Sequence, residues 1–486
     1  MGASDLEHSA DTAIIGAGIT GLCVAHSLHT AAGDQKTFQL IESANKVGGA
    51  IQTTLAEGYL AEHGPNSILV KDKRVAAMLD QLGLHEVKLD NEALAARSEA
   101  HKRYIVQGGV PLAMPSSPLG IFKTPLFSLG GKLRLALEPF IGRYKGREQG
   151  QGEESFADFV RRRLGPDILE SAAGPFVSGI YAGDPENLSV RHAFPRLWQL
   201  ENRYRSVILG AIAMQSGRDN KSNPNSNRLA PARMLSFRSG MHAMPKAIAD
   251  SLPTASIQLN SKLQSITPND DGWTLVWTDS SAQQHTGHYQ NLVLTTPPHR
   301  LATLPLPASA HDALKPVVAM QSPPVTSLVL GFKREDVAHP LDGFGMLIKQ
   351  SEKSPLLGVL FSSSMFDGRA PAGHVTLTCM MGGTMHPEYA QNDDQTVLDE
   401  LGKLLGVKGA PTFRHQTSWP QAIPQYSLDY QDKLDAMASC EKAHPGLHLA
   451  GNYRGGISVG DCIVNGLALG EKLARHEHPR PASPAS

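Results

Sequence analysis

The run Thr12-Ala13-Ile14-Ile15 is short, apolar and stops at a glycine, which predicts a buried strand. Leu22 to Leu28 follows as an apolar helical stretch, and Phe38-Gln39-Leu40-Ile41 predicts the next strand. Arg74 to Leu82 carries Val75, Met78, Leu79 and Leu82 at helical spacing. Phe156 to Leu164 and Ile168 to Val177 read as helices, and the polar Asn220 to Ala230 as an exposed loop. Met241 to Leu252 predicts a helix and Ser256 to Ile266 a strand. Trp273 to Thr278 and Asn291 to Thr295 predict strands before the turn Pro297-Pro298. Residues 301–415 alternate strands and helices. Leu447 to Asn452 reads as a buried strand reaching a turn, and Ile463 to Ala474 as an apolar helix. No internal repeat interrupts this order.

Tyr104 to Lys145 breaks the pattern. It mixes Pro, Gly, Leu and Phe with Lys123, Lys132, Arg134, Arg143 and Lys145. Apolar and basic residues together can seat a segment in a lipid headgroup layer. The same pattern also suits a packing surface between domains.

A chain of 486 residues is too long for one ordinary core, so two or three domains are expected. With 41% hydrophobic and 19% charged residues it is globular rather than disordered. A formal charge of -1 supplies no overall field for nucleic acid. The four cysteines, Cys23, Cys379, Cys440 and Cys462, form no CxxC pair, so reduced thiols and no metal centre are expected. The histidines show no HExxH or other metal spacing. Met1 to Thr12 has no secretory pattern, and Leu6 stands where a myristoylation signal needs Ser or Thr. No run of about 18 apolar residues predicts a transmembrane helix. The tail 476–486, rich in His, Pro, Ala and Ser, is expected to be disordered.

Between the first predicted strand and helix stands Gly16-Ala17-Gly18-Ile19-Thr20-Gly21. The first glycine serves a tight turn, the second lets a pyrophosphate approach the backbone, and the third lets helix and strand pack closely. Glu42 ends the second strand, 21 residues after Gly21, where an acid binds ribose hydroxyls. These elements in order predict a dinucleotide site. Lys46-Val47-Gly48-Gly49-Ala50-Ile51-Gln52-Thr53 then resembles the second glycine motif of the amine oxidase and phytoene desaturase flavoproteins, which points to FAD.

Longer segments carry a more specific resemblance. They include Glu62-His63-Gly64-Pro65-Asn66-Ser67, Lys102-Arg103-Tyr104-Ile105, and Pro175 to Pro185 around Gly179. Others are Leu341 to Gly345, Ser362 to Phe366, Arg369-Ala370-Pro371, Ile423 to Tyr426, and Gly451 to Cys462. Together, from about residue 10 to 475, the chain resembles the oxygen-dependent protoporphyrinogen oxidase family. The resemblance implies an α/β chain of three interleaved parts. A discontinuous Rossmann-like FAD domain of the amine oxidase type would use 9–90, 232–300 and 416–475. A mixed-sheet substrate-binding domain would use 91–112, 206–231 and 301–415, and a helical membrane-binding domain 113–205. It favours the membrane reading of the Tyr104 to Lys145 region.

The implied activity is six-electron oxidation of protoporphyrinogen IX to protoporphyrin IX, in heme and porphyrin biosynthesis, with oxygen as acceptor. The two macrocycles differ by six hydrogens, so three two-electron steps are needed, each with flavin taking a hydride. Such a substrate asks for apolar walls, one cation and few other polar groups. By resemblance Arg103 pairs with a propionate, Leu341 and Leu357 sandwich a ring, and the Gly179 carbonyl faces the substrate. Met380 stands where the family often has an aromatic. Non-covalent FAD is expected on Gly16, Gly18, Gly21, Glu42, Gly48 and Gly49, with Trp419, Gly451, Val459 and Asp461 around the flavin. No nucleophile elbow appears and no catalytic side chain is expected. Expected partners are the porphyrinogen, oxygen and the cytoplasmic side of a membrane, held peripherally, with a homodimer and hand-over of product to a ferrochelatase as further family expectations. Competing readings are coproporphyrinogen III oxidation to coproporphyrin III, a flavin amine oxidase, and a non-enzymatic escort protein. The Gly179 segment argues against the amine oxidase, and the intact glycine motifs against the escort.

Overall fold

The computed structural model describes residues 6–84, 92–144, 146, 152–215 and 228–475. The tail expected to be disordered, Lys145, and residues 220–227 of the expected loop lie outside them.

The Leu6–Ile15 strand pairs in parallel with Phe38–Ile41 on one side and Gln284–Leu294 on the other. Ile257–Gln258 and Leu447–Leu449 extend this parallel core, and Gly272–Thr278 and Lys262–Asn269 add an antiparallel flap. Both faces of the sheet are buried, as helical crossovers require. Ile14, Leu40 and Val293 face the helices Ile19–Ala32, Ala243–Asp250 and Val459–Arg475. Ile15, Ile41, Leu292 and Leu294 face Ala308–Val318 and Tyr430–Ala443.

Two helices from opposite ends of the chain meet closely. A β-carbon at Gly466 would stand 2.7 Å from the Thr20 carbonyl oxygen, and one at Gly470 would stand 2.5 Å from that of Val24. Only glycine permits this approach, and it draws the start of Val459–Arg475 to the first glycine turn.

The second sheet runs Phe413–Trp419, Val325–Lys333, His374–Gly382, Leu356–Leu360, Gly343–Ile348, Lys102–Gln107, Val110–Ala113. One face packs on the helix Asp394–Leu405. The other faces a set of helices between Pro118 and Gln215. A buried ion network ties that set together. Arg163 is fully buried and meets Glu201 at 2.8 Å and Glu138 at 3.4 Å, while Arg162 meets Glu154 and Glu201 at 2.7 and 2.8 Å. Removing one partner of such a group leaves an uncompensated charge, at a cost of about 3–5 kcal/mol.

Three expectations change. Ser256 to Ile266 is not one strand: Asn260, at φ 52°, separates Ile257–Gln258 from Lys262–Asn269. Residues 228–230 are not loop but open the strand Arg228–Phe237, paired with Ile68–Asp72 and Ala93–Ala95. The helix Val207–Gln215, expected in the mixed-sheet part, takes its start from Glu138, whose carboxylate accepts from the Val207 amide at 2.9 Å. It therefore belongs with the helical set.

Candidate active site

The first glycine turn is held by backbone and acid together. Gly16 donates to the Ile41 carbonyl at 2.9 Å, and the Ala17 amide donates to Glu42 Oε2 at 2.7 Å. The other Glu42 oxygen accepts from the Ala44 amide at 2.8 Å. Gly48 donates to the Ala17 carbonyl at 2.8 Å, so the two glycine motifs lie side by side, with Gly18 bridged to Gly48. A β-carbon on Gly21 would stand 2.1 Å from the Gly16 carbonyl oxygen, so the third glycine is forced by packing.

The geometry fits a dinucleotide. Gly18 begins the helix Ile19–Ala32 with no side-chain cap and no acid in the first turn. The first amides are open to a phosphate. Beside them Thr295 Oγ1 donates to the Ile15 and Gly16 carbonyls, while the buried Thr296 hydroxyl has no partner among the described residues. An orphaned donor beside an uncapped helix start is what a bound pyrophosphate and ribose would satisfy.

The expected flavin-side residues gather from three segments. Trp419 Nε1 donates to the His63 carbonyl at 2.8 Å, joining the second sheet to the loop after Tyr59–Glu62. Gly451 is buried, and the following loop rests on a stacked tyrosine pair: Tyr426 donates to the Asn452 carbonyl and Tyr430 to that of Tyr453, both at 2.8 Å. Val459 opens the last helix, half-buried. Asp461 pairs with Lys71 at 2.7 Å and accepts from Ser458 at 2.5 Å.

Two titratable neighbours were not singled out from sequence. Burial pushes the Glu62 carboxyl up to about 7, against hydrogen bonds from Thr53 and the Met241 amide. Burial, then the charge of His415, lowers His63 to about 4, so the His63 imidazole is neutral at ordinary pH; the His415 ring lies tilted against it, 4.7 Å between centroids.

A row of side chains crosses the face of the second sheet that looks at the helices. Gly345 pairs with Arg103, Leu347 with Ile105 and Gly358, and Gly358 with Met380. Residues paired in register share a face. Leu357 is the bulge residue between the Leu356–Met381 and Gly358–Met380 pairs. Leu347, Leu357 and Met380 are half-buried, and Leu347 packs directly on Gly179 of the helix Gly174–Tyr181. Arg103 is exposed, lies 5.4 Å from the Phe344 ring centroid, and has no carboxylate partner among the described residues.

Leu341 does not join this wall, which corrects the expectation. It sits at φ 54°, 2% exposed, in the core on the opposite face with Tyr104 and Phe361. Leu347 stands on the face that packs on Gly179 instead. The sequence signal for Leu347 is its position four residues after Gly343, within the quoted glycine-rich segment's own strand.

Paired glycine turns, an acid at the second strand end and a substrate sheet joined to them define a flavoprotein of the amine oxidase class. The flavin containing amine oxidoreductase family profile matches residues 19–468. The chain is 32% identical over 475 residues to protoporphyrinogen oxidase 2, chloroplastic/mitochondrial, of Arabidopsis thaliana, covering 93% of this chain and 92% of that one. The chain belongs to the protoporphyrinogen oxidase family of flavin-containing amine oxidoreductases. It is also 26% identical to coproporphyrinogen III oxidase of Bacillus subtilis (strain 168), over 94% of this chain and 96% of that one. A solved structure from Exiguobacterium sp. 255-15 shares the fold, with a TM-score of 0.76 at 20% identity, covering 97% of this chain and 99% of that one.

Proposed function

We propose that this chain oxidises protoporphyrinogen IX to protoporphyrin IX with oxygen as final acceptor. The observation that carries the reading is the apolar row of Leu347 and Met380 on the sheet face that packs on the Gly179 helix, with Leu357 in the bulge beside them and the exposed Arg103 guanidinium at its edge. An apolar macrocycle with carboxylates on one edge matches that arrangement. The relatives named for protoporphyrinogen oxidation at 31–33% identity support it.

Bound FAD supplies a two-electron acceptor, and removal of six hydrogens takes three such exchanges. Gly16, Gly18, Gly21, Gly48 and Gly49 give the cofactor its backbone approach, Glu42 takes ribose hydroxyls, and Trp419, Gly451, Val459 and Asp461 border the flavin. Arg103 holds a propionate through paired, charge-assisted hydrogen bonds. Leu347 and Leu357 pack on a pyrrole ring, and the flexible Met380 thioether fills the side where an aromatic would stand. No side chain is assigned as general base. The FAD part comprises 9–90, 232–300 and 416–475, the substrate part 91–112 and 301–415, and the helical part 113–215.

That helical part seats peripherally on a membrane. Leu129 and Phe140, each 84% exposed, lie with Phe122, Leu133 and Ile212 on its surface. Among the described residues no helix is long and apolar enough to cross a bilayer. Of the described basic residues in 104–145, Lys132, Arg134 and Arg143 are tied to backbone carbonyls, while Lys123 is exposed at the apolar surface.

Coproporphyrinogen III is the second reading, favoured by the similarity to the Bacillus subtilis enzyme. The test is oxygen uptake with porphyrin fluorescence. The FAD-loaded protein is expected to consume about three oxygens per porphyrin formed, the number set by three two-electron steps. Absence of porphyrin formation from either porphyrinogen above the uncatalysed rate contradicts the assignment.

A further inference from the structure

We propose that Lys349 anchors a second carboxylate of the porphyrinogen, on the same sheet face as Arg103 and beyond Leu347 from it; this rests on the porphyrinogen reading above. Lys349 continues the extended backbone of Gly343–Ile348, at φ -67° and ψ 145°. Side chains alternate along such a strand, so Lys349 shares the face of Leu347. That face packs on the helical stretch carrying Gly179. Leu347 meets Gly179, and Lys349 Nζ donates to Ser171 Oγ at 2.8 Å, in the π turn Leu169–Ala173 of the same stretch. Its other partner is Gln107 Oε1 at 2.8 Å.

The side chain is 6% exposed. Both acceptors are neutral, and an ammonium has three hydrogens to place. Among the described residues it has no carboxylate partner. Glu352, three residues on, turns away to accept from the Gly108 and Gly109 amides at 2.7 and 2.9 Å. Glu170, beside Ser171, is exposed. A buried ammonium without a counter-charge is costly, and a carboxylate brought by a ligand would offset that cost. Arg103 stands level with Gly345, four residues before Lys349, or about 13 Å along the strand. The two cations therefore flank Leu347 on one face. Two propionate arms on one macrocycle and two long side chains together span that gap.

A Lys349 that only pins the sheet to the π turn would give the same hydrogen bonds, so the test separates charge recognition from scaffolding. FAD-loaded wild type and Lys349→Met are titrated with protoporphyrin IX and with its dimethyl ester, followed by porphyrin fluorescence. Kinetics with protoporphyrinogen IX run alongside. The variant is expected to bind the free acid about ten-fold or more weakly, the size of a lost charge-assisted hydrogen bond. The two proteins should bind the ester within about two-fold, since it carries no carboxylate for the missing ammonium to hold. KM should rise more than kcat falls, and Lys349→Arg should restore part of the affinity. Equal loss for acid and ester, or no loss for either, overturns the assignment. Lys349→Gln, read the same way, replaces the Met variant if that protein melts early or loses FAD. Wild type that binds neither porphyrin overturns the porphyrinogen reading itself, which distinguishes the two failures.

Discussion

The Leu347 Cδ2 atom lies 2.4 Å from the point where a β-carbon on Gly179 would stand. A helix and a strand from different parts of the chain thus meet with no room for a methyl group. Gly179→Ala must displace the Leu347 side chain. Because the obstacle is the far end of a flexible side chain, the stability cost should stay within about 1–3 kcal/mol. The substrate wall should suffer more: kcat/KM should fall while FAD content holds. Gly179→Ala with Leu347→Ala should recover part of the loss. Thermal melts, flavin absorbance and steady-state kinetics check this together.

Arg103 has no carboxylate partner among the described residues and rests beside Phe344. If it holds a propionate, Arg103→Ala removes a charge-assisted pair worth roughly 1.5–3 kcal/mol. That lowers kcat/KM for protoporphyrinogen by about one to two decades. Arg103→Lys should rescue only in part, because an ammonium lacks the planar fork. Unchanged kcat/KM in the Ala variant would make Arg103 a surface charge only.

FAD should be held without a covalent bond. Cys462 is the thiol nearest the last glycine motif, yet it is buried, and burial pushes its pKa up to about 12. The thiolate is the nucleophile, so this sulfur is inert. Acid precipitation should release all of the flavin, and Cys462→Ala should bind FAD as the wild type does. Flavin that remains with the precipitate would contradict this.

Membrane association should depend on the exposed apolar side chains of the helical part. Replacing Leu129, Leu133 and Phe140 with serine removes three residues that are 84%, 63% and 84% exposed. Their loss costs little stability, as surface changes generally do. Co-sedimentation with anionic liposomes should fall sharply while porphyrin formation in detergent persists. Wild type that ignores liposomes would rule out the membrane seat.

The glycine turns were readable because backbone geometry dictates them: Gly21 has no space for a side chain, and Glu42 must reach the Ala17 amide from the end of its own strand. The substrate wall was less readable. Leu341 and Leu347 stand six residues apart, a spacing that plain alternation would put on one face, and a bulge between Gly343 and Gly345 shifts the alternation. Lys349 gave no signal, because a lysine in sequence looks solvated until its burial is seen. The strand break at Asn260 depends on a left-handed residue, which composition does not announce. The helix Val207–Gln215 is apolar up to its last residue, and the Glu138 contact to its first turn, with Gly210 set against Leu200, shows which part it joins.

The central claim is the identity of the macrocycle. The most direct measurement is the initial rate of porphyrin fluorescence in air, with FAD-loaded protein and each porphyrinogen over a range of concentrations. The account predicts a higher kcat/KM for protoporphyrinogen IX than for coproporphyrinogen III. A reversed ratio would contradict it and assign the chain to coproporphyrinogen oxidation.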